Sequence, residues 1–140
     1  MLNFGVPQGS VLGPILFILY TKPLTTLIRQ HSIANQSFAD DTQLYNSWRP
    51  DQIDASVQSI QDCISDVKTW MTANKLKLND DKTESLLTAS NRTHFPNPPP
   101  VSIHTGNTDI PFSSLVKNLG VTLSSNLSME KHVTNVCRSA

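Results

Sequence analysis

Two adjacent aspartates, Asp40 and Asp41, are the residues of this sequence best suited to chemistry. Apolar or aromatic side chains flank them, with Phe38 before the pair and Leu44 and Tyr45 after it. Neighbouring carboxylates repel each other, and burial adds a desolvation cost. A divalent cation removes both penalties, and Mg²⁺ takes carboxylate oxygens while keeping positions for water and phosphate. The pair therefore indicates a divalent metal site or, because aspartate is common in turns, a plain Asp-rich β-turn.

The segment around the acidic pair has the pattern of a β-hairpin. Short apolar and β-prone stretches lie on both sides of the acids within residues 33–45. We predict that the carboxylates lie at the hairpin tip, with residues 37–39 and 42–45 as its arms.

Three helices are predicted around this hairpin. In the first, Ser10 caps a helix that runs towards Arg29, with Pro14 in its first turn and a bend or break at Pro23. Its apolar residues occur on several sides, which predicts burial on more than one side. The second helix spans residues 53–71, where apolar side chains recur every three or four positions.

The C-terminal half combines turns, strands and the third helix. Asn79, Asp80 and Asp81 predict a turn, and Ser128 caps the last helix. Strands are predicted over residues 84–89, 101–104 and 115–123. The order of elements predicts an α+β fold, an antiparallel sheet with helices on one face.

The composition argues against a self-sufficient nucleic-acid binder, a zinc or redox site and a membrane span. The 140 residues carry 11 basic and 11 acidic side chains, whereas a self-sufficient nucleic-acid binder usually has a basic excess. Cys63 and Cys137 match no zinc or redox spacing, so we expect reduced thiols in an intracellular protein, nuclear or cytoplasmic. The apolar stretch at residues 15–20 is too short to span a bilayer, so no membrane partner is expected.

Four segments in order resemble the reverse transcriptase family. GVPQGSVLGP at residues 5–14 is similar to its motif B, and FADD at residues 38–41 is similar to motif C. NKLKLNDDKTE at residues 74–84 resembles motif D of non-LTR elements, and NLGV at residues 118–121 resembles motif E, the primer-grip hairpin. The residues of motifs C and D resemble those of LINE-type polymerases more than those of retroviral ones. The resemblance implies a partial polymerase palm over residues 1–123 and the truncated start of a thumb helix over residues 124–140.

The resemblance implies a role for each matched position. Asp40 would be a metal ligand and Asp41 a secondary ligand or electrostatic neighbour, with Mg²⁺ or Mn²⁺ serving two-metal nucleotidyl transfer. A loop close to the nascent base pair would be formed by Gly5, Pro7, Gln8 and Gly9. Lys82 would lie near the incoming dNTP, although it also fits a solvated turn. Leu119, Gly120 and Val121 would support the primer strand, although Leu119 and Val121 also fit strand core.

The sequence departs from the family pattern upstream of motif B. Met1 lies just before Gly5, and neither the motif A aspartate nor the fingers motifs are found. We therefore expect an RNA-directed DNA polymerase segment that is inactive alone and binds metal weakly, whereas the full-length family acts on an RNA template and a DNA primer. The alternative is a non-catalytic retroelement remnant acting, if at all, as a nucleic-acid or protein binding module. In the family fold the motif A strand pairs beside the motif C hairpin. Without that strand a sheet edge would be unpaired, which predicts marginal stability and self-association.

Overall fold

The computed structural model describes residues 9–90, 92–106 and 108–139. Within them it has an α+β fold, as predicted, made of short strands and longer helices. The helices are α1 (Leu12–Gln30), α2 (Ile53–Ala73) and α3 (Glu130–Ser139). The strands are β1 (Ala34–Phe38), β2 (Asp41–Tyr45), β3 (Ser102–His104), β4 (Asp109–Pro111), β5 (Leu115–Asn118) and β6 (Val121–Ser124). A 3-10 turn at Asp80–Lys82 occupies the predicted turn.

The strands of the described residues form three separate two-stranded antiparallel sheets, β1–β2, β3–β4 and β5–β6. The prediction of one antiparallel sheet with helices on one face is therefore wrong for this part of the chain. Each strand pairs with its neighbour in sequence, because a short loop has the smallest closure entropy. A lone hairpin is only marginally stable in water, and helices contact all three of these. Helix α1 contacts β1 and α3 contacts β6, while Gln61 of α2 accepts a hydrogen bond of 2.7 Å from the His104 amide of β3.

Two predicted strands differ from the structure. Residues 84–89 do not form a strand, since only Ser85 makes a bridge, to Phe112. The Ser85 hydroxyl donates to the carbonyl oxygen of Pro111 at 2.9 Å, and the Ser85 carbonyl oxygen accepts from the Ser113 amide at 2.9 Å, so this residue contacts β4 without forming a strand ladder. Residues 115–123 fold back on themselves as β5 and β6, because the chain turns at Leu119 and Gly120. Strand β4 was not predicted.

The predicted helices are present, with differences in α1. The N-cap of α1 is Val11 and not Ser10 as predicted, although the Leu12 amide donates to the Ser10 hydroxyl at 3.3 Å. The helix continues through Pro23 without a break. Only Leu24 and Ile28 of α1 are buried, so the expectation of burial on several sides is wrong. Five apolar residues of the first half are 47–61% exposed, namely Leu12, Ile15, Leu16, Ile18 and Leu19. The buried apolar side chains of α1 therefore lie in its C-terminal half.

The chain divides into two compact units. The first comprises residues 1–47 and 62–77, and its buried residues include Ile28, Ile33 and Cys63. The second comprises residues 48–61 and 78–140, and its buried residues include Ile103 and Ile110. None of the helices in the described part of the chain has the length and apolar character needed to cross a bilayer.

Candidate metal centre and associated segments

The acidic pair lies at the tip of the β1–β2 hairpin in the first unit. The strands are joined by a two-residue loop, Ala39-Asp40, and Asp41 pairs with Phe38 as the first residue of β2. The predicted hairpin is therefore confirmed, except that Ala39 belongs to the turn and not to an arm. The geometry places two consecutive carboxylates at one end of a hairpin, where a ligand can reach them.

The conformation of this turn is strained at one residue. Ala39 has a φ of 53°, in the left-handed region that short hairpin loops require and that glycine fills most readily. A side chain in this region costs roughly 1–2 kcal/mol. Behind the turn, the Ser37 and Thr42 hydroxyls form a hydrogen bond of 3.1 Å that joins the two arms. The arms thus hold the tip in a conformation that its sequence alone does not favour.

The charge at the tip is purely negative. Asp40 and Asp41 are exposed, and they are the only charged residues between Ser32 and Tyr45. No cluster of three or more His, Cys, Asp or Glu suited to a metal occurs among the residues that the structure describes. Two hard oxygen donors fit Mg²⁺ or Mn²⁺ as part of a coordination shell, because Mg²⁺ keeps several waters and binds through one or two carboxylates plus substrate phosphates. The site is therefore suited to sharing a cation with a phosphate-bearing ligand.

The residues of the motif B loop are mostly beyond what the structure describes. Gly5, Pro7 and Gln8 lie outside the described residues. Gly9 has a φ of 87°, and a Cβ placed there would meet no atom within 4 Å. Among the residues that the structure describes, the backbone conformation at Gly9, and not crowding, therefore favours glycine at this position.

Lys82 lies in the second unit, at the end of the 3-10 turn. Its backbone N–H donates to the carbonyl oxygen of Asn79 at 3.2 Å, and its side chain is exposed. This setting accommodates a solvated turn lysine and a lysine that meets an anionic ligand equally well.

The motif E residues form the tip of the β5–β6 hairpin. Leu119 and Gly120 have φ values of 46° and 85°, which match the two positive values of a type I′ turn. Leu119 is 49% exposed, so its interpretation as strand core is wrong, because the turn carries it away from the ladder. Val121 is half-buried as the first residue of β6. The hairpin that the motif E resemblance implied is thus present.

The second unit also brings the end of the motif D segment beside this hairpin. The Lys117 amide of β5 donates to a carboxylate oxygen of Glu84 at 3.4 Å. On the other strand, the Thr122 amide donates to Nδ1 of His132 on α3 at 3.4 Å. Sequence reasoning assigned no role to Glu84, Lys117 or His132, since contacts between distant residues leave no periodic pattern.

Comparison with known proteins gives a consistent result. The family described as "Reverse transcriptase (RNA-dependent DNA polymerase)" matches residues 2–123. Three Drosophila melanogaster proteins are also similar. The "Probable RNA-directed DNA polymerase from transposon X-element" is 34% identical over 137 residues, 94% of this chain. The "RNA-directed DNA polymerase from mobile element jockey" is 28% identical over 94% of this chain. The "Probable RNA-directed DNA polymerase from transposon BS" is 28% identical over 99% of it.

The similarity covers only part of each relative. The chain spans 14% of the X-element and jockey proteins and 15% of the BS protein. No solved structure matches the chain significantly.

Proposed function

The chain belongs to the reverse transcriptase family, and from that membership we propose that it supplies part of the palm of an RNA-directed DNA polymerase of the non-LTR, LINE-like kind. The observation that carries the proposal is the exposed Asp40-Asp41 pair at a hairpin tip, within a segment that the family match covers. In the complete polymerase the partners would be an RNA template, a DNA primer and a dNTP.

Asp40 and Asp41 would provide carboxylate oxygens to a divalent cation, Mg²⁺ or Mn²⁺. When bound, such cations activate the attacking hydroxyl and stabilise the leaving group of phosphoryl transfer. Exposure of both side chains favours this role, because a phosphate-bearing ligand can approach them without displacing other residues. The Ser37–Thr42 hydroxyl bond joins the two arms behind the short loop, and a fixed loop would lower the cost of organising the site.

The second unit would contact the substrates. Lys82 would lie near the triphosphate, where an ammonium group offsets negative charge. The β5–β6 hairpin, with Leu119 and Gly120 at its tip, would support the primer strand. Exposed turn residues suit this role, since their backbone is accessible to a ligand.

The 140-residue chain by itself is proposed to be inactive and to bind metal weakly. Two adjacent carboxylates do not hold two cations readily, and the described residues add no third acidic ligand beside them. The family pattern places a further aspartate in motif A.

The experiment is a Mn²⁺ titration of the ¹⁵N-labelled chain followed by NMR. Paramagnetic broadening should appear first at the amides of Asp40, Asp41 and Phe38, and Mg²⁺ in excess should reverse it. Asp40→Asn combined with Asp41→Asn should remove the broadening at the hairpin.

The chain offers a matched control in its other adjacent acidic pair, Asp80-Asp81. Replacing both residues with asparagine should leave broadening at the hairpin unchanged. Equal broadening at both pairs in the parent chain would show nonspecific binding of cations to acidic turns and would contradict the proposal. That outcome would favour a non-catalytic binding role.

A further inference from the structure

A proline-rich segment lies outside everything that the proposed polymerase role uses. Residues 95–100 read Phe-Pro-Asn-Pro-Pro-Pro. The side chains of residues 96–99 are exposed, and Pro100 is half-buried. Four prolines in six positions on an exposed surface indicate an extended, polyproline II-like backbone.

The sequence restricts this backbone strongly. Proline fixes φ near −65°, and the residue before a proline is pushed to extended or polyproline II conformation. Phe95, Asn97, Pro98 and Pro99 each precede a proline. In the structure the chain bends at residues 96–97 and then has no helix, strand or turn over residues 98–100. These three prolines are enough for one turn of polyproline II, which has three residues per turn.

Both ends of the segment are fixed to the second unit. The Phe95 ring stacks on Trp48, with ring centroids 5.6 Å apart and planes inclined by 29°. At the other end, the Val101 carbonyl oxygen accepts a hydrogen bond of 3.0 Å from the Phe112 amide. Anchoring of this kind reduces the conformational entropy that a partner would have to remove on binding.

The surface chemistry of the segment indicates what it binds. No residue from 95 to 103 carries a charge, so the segment has no group that would attract phosphates or acidic lipids. Its exposed surface consists of proline rings and the uncharged amide of Asn97, and it is continued by Val101, which is 80% exposed. Prolines have no N–H to donate, and their carbonyl oxygens remain as acceptors. Aromatic-lined grooves recognise this combination of rigid apolar rings and free carbonyl groups.

We propose that residues 96–101 are a ligand for a protein module whose aromatic-lined groove binds polyproline II segments. The inference does not depend on the polymerase role, since it uses neither the acidic hairpin nor the primer-grip hairpin.

The test uses purified SH3, WW and EVH1 domains as probes, because these three classes bind proline-rich segments. Each ¹⁵N-labelled domain is titrated with the 140-residue chain. Saturable shifts confined to the aromatic groove of at least one class are expected. The class that responds identifies the kind of partner.

The discriminating variant combines Pro98→Ala with Pro99→Ala, which removes the polyproline run at exposed positions. It should weaken binding by about tenfold or more. Pro50→Ala, in a different loop, is the matched control and should change affinity by less than about twofold. The proposal is overturned if no class binds at millimolar concentration, or if the double variant binds as well as the parent chain.

Discussion

Replacing Ala39 with glycine should stabilise the hairpin that carries the acidic pair. Ala39 has a φ of 53°, where a side chain costs roughly 1–2 kcal/mol. Glycine relieves that cost but loses about 0.5–1 kcal/mol of backbone entropy on folding. The difference predicts a net gain of about 0.5–1 kcal/mol in the free energy of unfolding.

Urea denaturation and thermal unfolding followed by circular dichroism measure this change. We expect the melting temperature to rise by about 1–4 °C in Ala39→Gly. Ala34→Gly is the matched control, because Ala34 lies in β1 of the same hairpin and has no positive φ. The control should lose about 0.5–1 kcal/mol, since glycine in a strand gives only the entropic penalty. Equal destabilisation by the two substitutions would refute the assignment of strain to the turn.

Three further predictions concern stability and association. Ile28 is 0% exposed and Ile18 is 61% exposed on the same helix, so Ile28→Ala should cost about 2–5 kcal/mol and Ile18→Ala less than about 0.5 kcal/mol in urea denaturation. Burial, with a smaller contribution from the Asp66 charge, raises the pKa of the Cys63 thiol from 9.0 to about 11. The folded state therefore favours the neutral thiol, and the free energy of unfolding should fall as pH rises from about 9 towards 11. This decrease should be smaller in Cys63→Ala than in the parent chain or in Cys137→Ala. The exposed apolar half of α1 and the unpaired hairpin edges should make the chain self-associate, as measured by light scattering. The double variant Leu16→Glu with Leu19→Glu should reduce this self-association. A monodisperse parent chain would contradict the prediction.

Local patterns predicted the elements that depend on nearby residues. The periodic apolar positions of α2 and the Ser128 hydroxyl before α3 specify helices through interactions within a few residues, and the structure contains them. The β1–β2 hairpin was also predictable, because a polar pair between two β-prone stretches determines a turn.

Features that depend on distant contacts were not predictable. Ser85 uses its hydroxyl and backbone to join β4 and the residues after it, and residues 84–89 form no strand. Leu119 adopts a left-handed φ that leucine rarely takes, so the strand pattern of residues 115–123 did not show the turn. Only the motif E resemblance implied a hairpin there. The exposure of the first half of α1 was missed because an apolar pattern shows what a helix can bury, not what lies against it.

The family assignment rested on four ordered motifs, and the family match over residues 2–123 confirms it. The roles of the individual site residues are predictions that follow from the motif resemblance.

The central claim, that Asp40 belongs to the metal-binding carboxylates of an RNA-directed DNA polymerase, is tested most directly by primer extension. The 140 residues would replace the matching segment of the X-element relative, and the chimera would be assayed on an RNA template with Mg²⁺. We expect template-dependent extension that falls at least about a hundredfold in Asp40→Asn and is retained in Asp51→Asn, an exposed loop aspartate. The 140-residue chain alone should extend no primer. Extension by the chimera that is equally efficient with and without the Asp40 carboxylate would contradict the claim.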